Sequence, residues 1–121
     1  MKLLIVDDSN IMRRAIEKYL EAKRFTLVGT AADGETALRL FSQFLPDLVT
    51  LDITMPRMDG LTCLEKMLAI KPEAKILIIS ALKDSVTGLQ ALKKGAKGFL
   101  PKPFTAAELQ REIEDVLGGA S

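Results

Sequence analysis

Short apolar runs alternate along the chain with longer segments of helical period. The first pair is the run KLLIV followed by residues 10–22, where apolar side chains recur on one face. The later runs are FTLVGTA, PDLVTLD, AKILIISA and KGFL. Helices are predicted from Asp33 to about Leu45, around Leu61 to Leu68 before Pro72, over residues 84–94, and from the capping box TAAE at Thr105. The pattern therefore predicts five strands and five helices in strict alternation.

The predicted strands are apolar throughout, without the alternation typical of a sheet that has one face in water. Because a helix follows each of them, the pattern indicates a parallel sheet covered on both faces. We expect an α/β, doubly wound, flavodoxin-like fold with strand order 2-1-3-4-5, forming one domain over residues 1–121. The stripe of the second helix expected to face the core is Ala37, Leu38, Phe41 and Leu45.

Polar residues stand where the predicted strands end. Asp7 and Asp8 follow the first strand, Asp52 ends the third, Ser80 ends the fourth, and Lys102 comes shortly after the fifth. In a doubly wound sheet, the carboxyl ends of the strands border the ligand crevice, and the first and third strands are neighbours at the switch point. We therefore expect three carboxylates to meet there, with a hydroxyl and an ammonium group nearby.

The chemistry of this cluster is restricted because the chain has no histidine and one cysteine. Three close carboxylates require a counter-charge, and an oxygen-seeking cation, Mg²⁺ first of all, fits them. A carboxylate nucleophile, Mg²⁺ and a lysine together are typical of phosphoryl transfer. Taken singly, the aspartates could be helix caps or turn residues, Ser80 could bond its own backbone, and Lys102 could be a solvated charge. Their joint occurrence at the strand ends favours a site.

Composition excludes several other functions. The net charge is +1, from 17 basic and 16 acidic residues, so no general field for nucleic acid exists. No apolar segment approaches the roughly 20 residues of a spanning helix, and no signal peptide precedes the first strand, so we expect a cytoplasmic protein without membrane insertion. The lone Cys63 lies at helical spacing, where a buried structural thiol is expected rather than a reactive one.

The segments IVDDS, PDLVTLDITMPRMDG, ILIISA and KGFLPKPF resemble the receiver domain of response regulators, in its single-domain CheY-like form. The resemblance covers essentially the whole chain. It implies that Asp52 accepts a phosphoryl group from a histidine kinase or phosphotransfer protein, and that the chain is a phosphoacceptor assisting its own phosphorylation and dephosphorylation rather than an enzyme. Ser80 would bond the phosphoryl group, and Lys102 would pair with it. The metal ligands that it implies are Asp7, Asp8, Asp52 and the main-chain carbonyl of Thr54.

The resemblance also implies how a signal is passed on. Phe99 would be the aromatic side chain whose rotamer reports the state, although many chemotaxis-type members have tyrosine there. Thr54 and Leu82 would flank the path of water and tune dephosphorylation, unless Leu82 only starts the fourth helix and packs on Val86. A cis peptide is expected at Lys102–Pro103. A downstream protein would bind the face of helix 4, strand 5 and helix 5, unless that face is only solvated and basic. The residues expected there are Lys83, Gln90, Lys93, Lys94, Lys97 and Phe99.

Three alternatives remain at this point. A phosphatase of the haloacid dehalogenase type also uses a strand-end aspartate, but with a D-x-D pattern, whereas Asp7 and Asp8 are adjacent. A flavodoxin-like flavin binder would hold phosphate with hydroxyls and amides, whereas the first loop, DDSN, is negative. A degenerate receiver would act only as an interaction module. The oligomeric state expected for a receiver is a monomer or a weak, phosphorylation-dependent dimer.

Overall fold

The computed structural model describes residues 1–21, 25–53, 60–81 and 85–118. Within these residues, five strands and five helices alternate, as predicted. In chain order they are β1 (Lys2–Val6), α1 (Asn10–Leu20), β2 (Thr26–Ala31), α2 (Gly34–Phe44), β3 (Leu48–Asp52), α3 (Gly60–Ile70), β4 (Lys75–Ser80), α4 (Ser85–Lys93), β5 (Gly98–Pro101) and α5 (Ala106–Val116).

The strands form one parallel sheet in the order β2-β1-β3-β4-β5, which confirms the expected topology. The central pairs are in continuous register, with Val6 opposite Leu51 and Leu51 opposite Ile78. The pairing of β1 with β2 shifts between Leu3 and Leu4. Because all strands run the same way, the ends of β1, β3 and β4 lie at one edge of the sheet.

Two apolar layers cover the sheet. On one face, Phe41 of α2 and Met67 of α3 pack with the β-strand residues Leu4, Val49 and Ile76. The other face packs against α1 and α5 through a second set of buried side chains, among them Ile5, Ile16, Leu77, Leu109 and Ile113. Every side chain of β3 is buried, which explains why the strands read as apolar without alternation. No helix in the described part of the chain is long and apolar enough to cross a membrane.

Local signals fix the ends of several helices. Asp33 caps α2, since its Oδ1 accepts a hydrogen bond from the amide of Thr36 at 2.8 Å. The predicted capping box of α5 is present: the amide of Glu108 donates to Oγ1 of Thr105 at 3.1 Å, and the amide of Thr105 donates to Oε1 of Glu108 at 2.8 Å. The peptide between Lys102 and Pro103 is cis, as expected.

The prediction for Leu45 was wrong. The helix ends at Phe44, and Leu45 adopts a left-handed conformation with φ of 48° and a side chain that is 44% exposed. Its amide donates to the carbonyl of Phe41 at 2.8 Å, which closes the helix and turns the chain toward β3. Helical spacing alone could not reveal this, because a leucine continues the apolar stripe whether or not the backbone does.

Candidate functional site

The polar residues at the strand ends come together at one edge of the sheet. Asp7 and Asp52 are 1% exposed, Ser80 is fully buried, and Asp8 is exposed. Carboxylate oxygens of the three aspartates all lie within 4.8 Å of one another. The parallel sheet brings these groups together, because β1 pairs with β3 and β3 pairs with β4. The result is a half-buried negative cluster open to solvent at Asp8.

Lys102 lies over this cluster and supplies its positive charge. Its Nζ is 2.8 Å from Oδ2 of Asp7 and 3.5 Å from Oδ2 of Asp52, and its side chain is 17% exposed. The amide of Lys102 donates to the carbonyl of Ser80 at 2.7 Å, so the residue is tied to the end of β4. The sequence predicted that Lys102 would lie near Asp52, and this is confirmed, although Asp7 is the closer partner.

The charges of the cluster are strongly coupled. Burial raises the pKa of Asp7 above its ordinary value, and the neighbouring charge of Asp52 adds to this, while the hydrogen bond from Lys102 opposes it. Burial alone would lower the pKa of Lys102, but its hydrogen bond to Asp7 and the charges of Asp52 and Asp7 outweigh that effect and raise it. Lys102 is therefore held as a cation, and the surroundings of Asp7 disfavour its negative charge.

The turn between β1 and α1 holds Asp7 in place. The amide of Ser9 donates to Oδ1 of Asp7 at 2.9 Å, and Oγ of Ser9 caps α1 by accepting from the amide of Met12 at 3.2 Å. A guanidinium nitrogen of Arg13 donates to the main-chain carbonyl of Asp7 at 2.6 Å. Sequence reasoning missed Arg13. Arg14 beside it is equally basic, so the composition of the helix gave no signal for which side chain faces the turn.

The start of α3 packs against the backbone next to Asp52. A Cβ added to Gly60 would lie 2.2 Å from Cα of Ile53, so only glycine permits α3 to begin directly against the residue after Asp52. The amide of Gly60 donates to the carbonyl of Ile53 at 3.3 Å, which ties the start of α3 to the end of β3. The backbone at the end of β3 is therefore fixed without any help from a side chain at position 60.

The donor set fits Mg²⁺. Among the described residues, the cluster offers oxygen ligands from Asp7, Asp8 and Asp52 and no nitrogen or sulfur ligand. Hard divalent cations prefer carboxylate oxygens, and Mg²⁺ uses one or two of them while keeping several waters. An exposed Asp8 beside two buried carboxylates leaves such a cation open to solvent and to a further ligand.

Comparison with known proteins identifies the family to which the chain belongs. Residues 3–114 match the family model of the response regulator receiver domain. The chain belongs to this family. The receiver is 42% identical to the chemotaxis protein CheY of Listeria monocytogenes over 114 residues, which are 94% of this chain and 96% of that protein. It is 39% identical to the chemotaxis protein CheY of Bacillus subtilis over 116 residues, 96% of this chain and 97% of that protein.

Solved structures agree with this assignment. The structure of a CheX–CheY–BeF3–Mg²⁺ complex from Borrelia burgdorferi superimposes with a TM-score of 0.93 at 37% identity, covering 97% of this receiver and 89% of that chain. Magnesium and phosphorylation are typical of the family, and the chain is a CheY-like receiver of two-component signalling rather than a conventional enzyme. Because the chain belongs to the receiver family, the phosphatase and flavin-binding alternatives are set aside.

Thr54, Leu82 and Lys83 lie outside the described residues.

The lone Cys63 is buried between α3 and α2, with its Sγ 4.0 Å from the carbonyl of Gly34. This environment agrees with the expected structural thiol.

The face of α4 and β5 carries features that the sequence analysis did not anticipate. Val86, Leu89 and Leu92 recur every third residue along α4 and are 59%, 53% and 45% exposed, so they form an apolar stripe in water. Gly88 in the same helix is buried, and an added Cβ there would lie 3.3 Å from the ring of Phe99. The half-buried ring therefore packs directly against the backbone of α4.

The polar residues expected on this face are all exposed, as far as the structure describes them. Gln90, Lys93 and Lys97 are exposed. Lys94 is also exposed, but its ammonium group pairs with the carboxylate of Glu65 on α3. The solvated basic surface is therefore smaller than the sequence suggested, and the apolar stripe of α4 is its main feature.

Proposed function

We propose that this receiver takes a phosphoryl group onto Asp52 from the phosphohistidine of a histidine kinase or phosphotransfer protein. The observation that carries the proposal is the buried Asp52 carboxylate, beside a lysine ammonium and within 4.8 Å of two further carboxylates. Among the carboxylates of the cluster, Asp52 ends the central strand, and Lys102 reaches it at 3.5 Å. A nucleophile of this kind needs its surroundings to offset both its own charge and that of the phosphoryl group.

In the proposed step, an oxygen of Asp52 forms a bond to phosphorus as the phosphorus–nitrogen bond of the donor breaks. The departing imidazole takes up a proton and leaves neutral. Lys102 would follow the incoming negative charge, because its ammonium already lies between Asp7 and Asp52. Ser80, buried at the end of β4, would donate its hydroxyl to a phosphoryl oxygen.

Mg²⁺ would be held by Asp7, Asp8 and Asp52 with the carbonyl of Thr54, and when bound it neutralises charge on the transferred phosphoryl group. Without a cation, the negative cluster repels an anionic donor. We therefore propose that phosphorylation requires Mg²⁺ and that the donor approaches from the side of the exposed Asp8.

Intact-mass measurement tests the proposal directly. Incubation with acetyl phosphate and Mg²⁺ is expected to add one phosphoryl group that hydroxylamine removes, because an acyl phosphate is labile to that nucleophile. Asp52→Asn should show no adduct, and wild-type protein in chelator should show little. Asp8→Asn is the matched control for loss of a carboxylate other than the acceptor, and it should be phosphorylated slowly and only at high Mg²⁺.

A stable adduct that persists in Asp52→Asn would refute the assignment of the acceptor. Absence of any adduct in the wild type with both acetyl phosphate and a phosphorylated kinase domain would instead support the degenerate receiver that acts only as an interaction module.

We further propose that phosphorylation changes the face of α4, β5 and α5, and that this face binds a downstream protein. Phe99 contacts the backbone of α4 at Gly88, and β5 pairs with β4 next to Ser80, so a movement at the strand end reaches this face through direct contacts. The exposed Val86, Leu89 and Leu92 offer apolar area for a partner. The CheX–CheY complex supports a protein partner for a CheY-like receiver.

Hydrogen exchange tests this coupling without knowledge of the partner. Acetyl phosphate with Mg²⁺ is expected to change the exchange of α4 and β5 amides in the wild type, and to leave them unchanged in Asp52→Asn. Phe99→Ala should keep the phosphoryl adduct but reduce the change in α4. A change confined to α1 and α2 would contradict the assignment of the face.

The lifetime of the phosphoryl group is proposed to depend on Thr54 and Leu82. An apolar side chain at position 82 cannot orient a water for attack in line with the Asp52 oxygen that must leave. Leu82→Gln is therefore expected to accelerate loss of the phosphoryl group severalfold, on the order of 1 kcal/mol of barrier. The decay of the adduct at fixed Mg²⁺ measures this effect. Equal rates in the two folded proteins would mean that Leu82 does not limit access of water.

The remaining elements of the proposal concern the whole chain. We propose that residues 1–121 act as one receiver domain in the cytoplasm, as a monomer or a weak phosphorylation-dependent dimer, without binding nucleic acid. Support for this comes from the near-zero net charge and from relatives of almost the same length.

A further inference from the structure

We infer that Arg13 is a positioning residue that orients the peptide between Asp7 and Asp8 and thereby sets the affinity of the acidic cluster for Mg²⁺. This inference rests on the proposed metal site. It is drawn from the hydrogen bond between a guanidinium nitrogen of Arg13 and the main-chain carbonyl of Asp7, at 2.6 Å.

Each polar group of Asp7 has a hydrogen-bond or ion-pair partner. Its amide donates to the carbonyl of Ala31 in β2 at 2.9 Å, its Oδ1 accepts from the amide of Ser9, and its Oδ2 pairs with Lys102. Asp7 follows the last residue of β1, so its carbonyl lies beyond the strand pairing, and Arg13 supplies its donor. A buried carbonyl that loses its donor is costly and turns toward water or another donor if it can.

Reorientation of this carbonyl would move Asp8. The carbonyl of Asp7 and the amide of Asp8 belong to one planar peptide, so a change in ψ of Asp7 that turns this plane displaces Cα and the carboxylate of Asp8 unless φ of Asp8 compensates for it. Asp8 is exposed, and it lacks the buried surroundings that hold Asp7 and Asp52. The orientation of its carboxylate therefore depends on the peptide that Arg13 holds.

Arg13 is itself well placed to act in this way. It lies in the second turn of α1, its amide donates to the carbonyl of Ser9 at 3.0 Å, and its second guanidinium nitrogen contacts Oδ1 of Asn10 at 3.3 Å. Its side chain is half-buried, whereas that of Arg14 is exposed. The planar guanidinium group carries several donors in a fixed geometry, so one side chain can bond both the carbonyl of Asp7 and Asn10.

A positioning role and a simple charge effect predict opposite results. Removal of a positive charge near a cation site reduces repulsion and should tighten Mg²⁺ binding. Loss of an outer-shell hydrogen bond that orients ligands typically weakens metal affinity by about 10- to 100-fold. The sign of the change in Mg²⁺ affinity therefore distinguishes the two effects.

Titration calorimetry with Mg²⁺ on the full chain tests the inference. Arg13→Ala is expected to weaken Mg²⁺ binding by at least about tenfold. Arg13→Lys keeps one donor and the charge, and should recover part of the affinity. Arg14→Ala removes the same charge from the adjacent exposed position and should leave the affinity unchanged or slightly tighter. Circular dichroism establishes that each variant is folded, and Arg13→Gln replaces the alanine variant if that one does not fold.

Binding by folded Arg13→Ala as tight as that of the wild type or of Arg14→Ala would overturn the inference. A wild type that does not bind Mg²⁺ would overturn both the inference and the proposed metal site. Mg²⁺ binding without any transfer to Asp52 would refute only the proposed phosphoacceptor, and the comparison of Arg13 with Arg14 would still decide the role of Arg13.

Discussion

Lys102→Met is expected to lower the free energy of unfolding by about 3 kcal/mol at pH 7 in the presence of chelator. Lys102 is the cation that pairs with Asp7 and Asp52, and both carboxylates are 1% exposed. Removal of one partner from a buried ion pair leaves a charge without compensation, which is far more costly than the net gain from the intact pair. Urea denaturation of the two proteins measures the difference.

The loss should depend on pH. Burial and the charge of Asp52 raise the pKa of Asp7, and the Lys102 ammonium that opposes this rise is absent in the variant. A carboxyl group whose folded-state pKa lies above its unfolded-state value binds protons more readily in the folded protein, so stability increases as the pH falls through that interval. The deficit of Lys102→Met is therefore expected to shrink between pH 7 and pH 5.

A surface lysine provides the control. Lys66 is exposed on α3, away from the cluster, and Lys66→Met should change the stability by no more than about 0.5 kcal/mol. If Lys102→Met is as stable as Lys66→Met at both pH values, then Lys102 does not compensate the buried carboxylates.

The sequence predicted the members of the cluster because chemistry and topology restrict them strongly. Asp7 follows β1, Asp52 and Ser80 end β3 and β4, and parallel strands bring their ends to one edge. Details that depend on side-chain conformation were not predictable in this way. Asp7 is a closer partner of Lys102 than Asp52 is, and the contact of Arg13 with the turn depends on a rotamer that residue types do not encode.

The fold, like the site, was predictable from the sequence only in part. Periodicity predicted all ten elements, because in most of them the apolar run or stripe marks the side that packs in the core. It failed at Leu45, where the backbone leaves the helix while the apolar pattern continues. It also gave no indication that the missing Cβ of Gly88 admits the ring of Phe99. Contacts of this kind join different elements of the fold, so the local sequence pattern of one element does not predict them.

Asp7→Asn is expected to have opposite effects on stability with and without Mg²⁺. In chelator, the variant should be more stable than the wild type by about 1 kcal/mol, a gain typical of relieving a site kept for function. The raised pKa of Asp7, which burial causes, means that the folded protein disfavours its negative charge at pH 7. Asparagine has the same shape and keeps an oxygen to accept from the amide of Ser9, but it removes that charge.

Mg²⁺ should reverse the order. A cation at 100 times its dissociation constant stabilises the folded wild type by about 2.7 kcal/mol, because it binds the assembled carboxylates and not the unfolded chain. Asp7→Asn, which has one carboxylate fewer, should gain much less at the same concentration and become the less stable protein. Urea denaturation in chelator and in Mg²⁺ measures both differences, with Glu73→Gln as a control for loss of an exposed acidic charge. If the variant is less stable than the wild type in chelator, then the negative charge of Asp7 does not destabilise the fold. If the variant gains as much stability from Mg²⁺ as the wild type, then Asp7 does not contribute to Mg²⁺ binding.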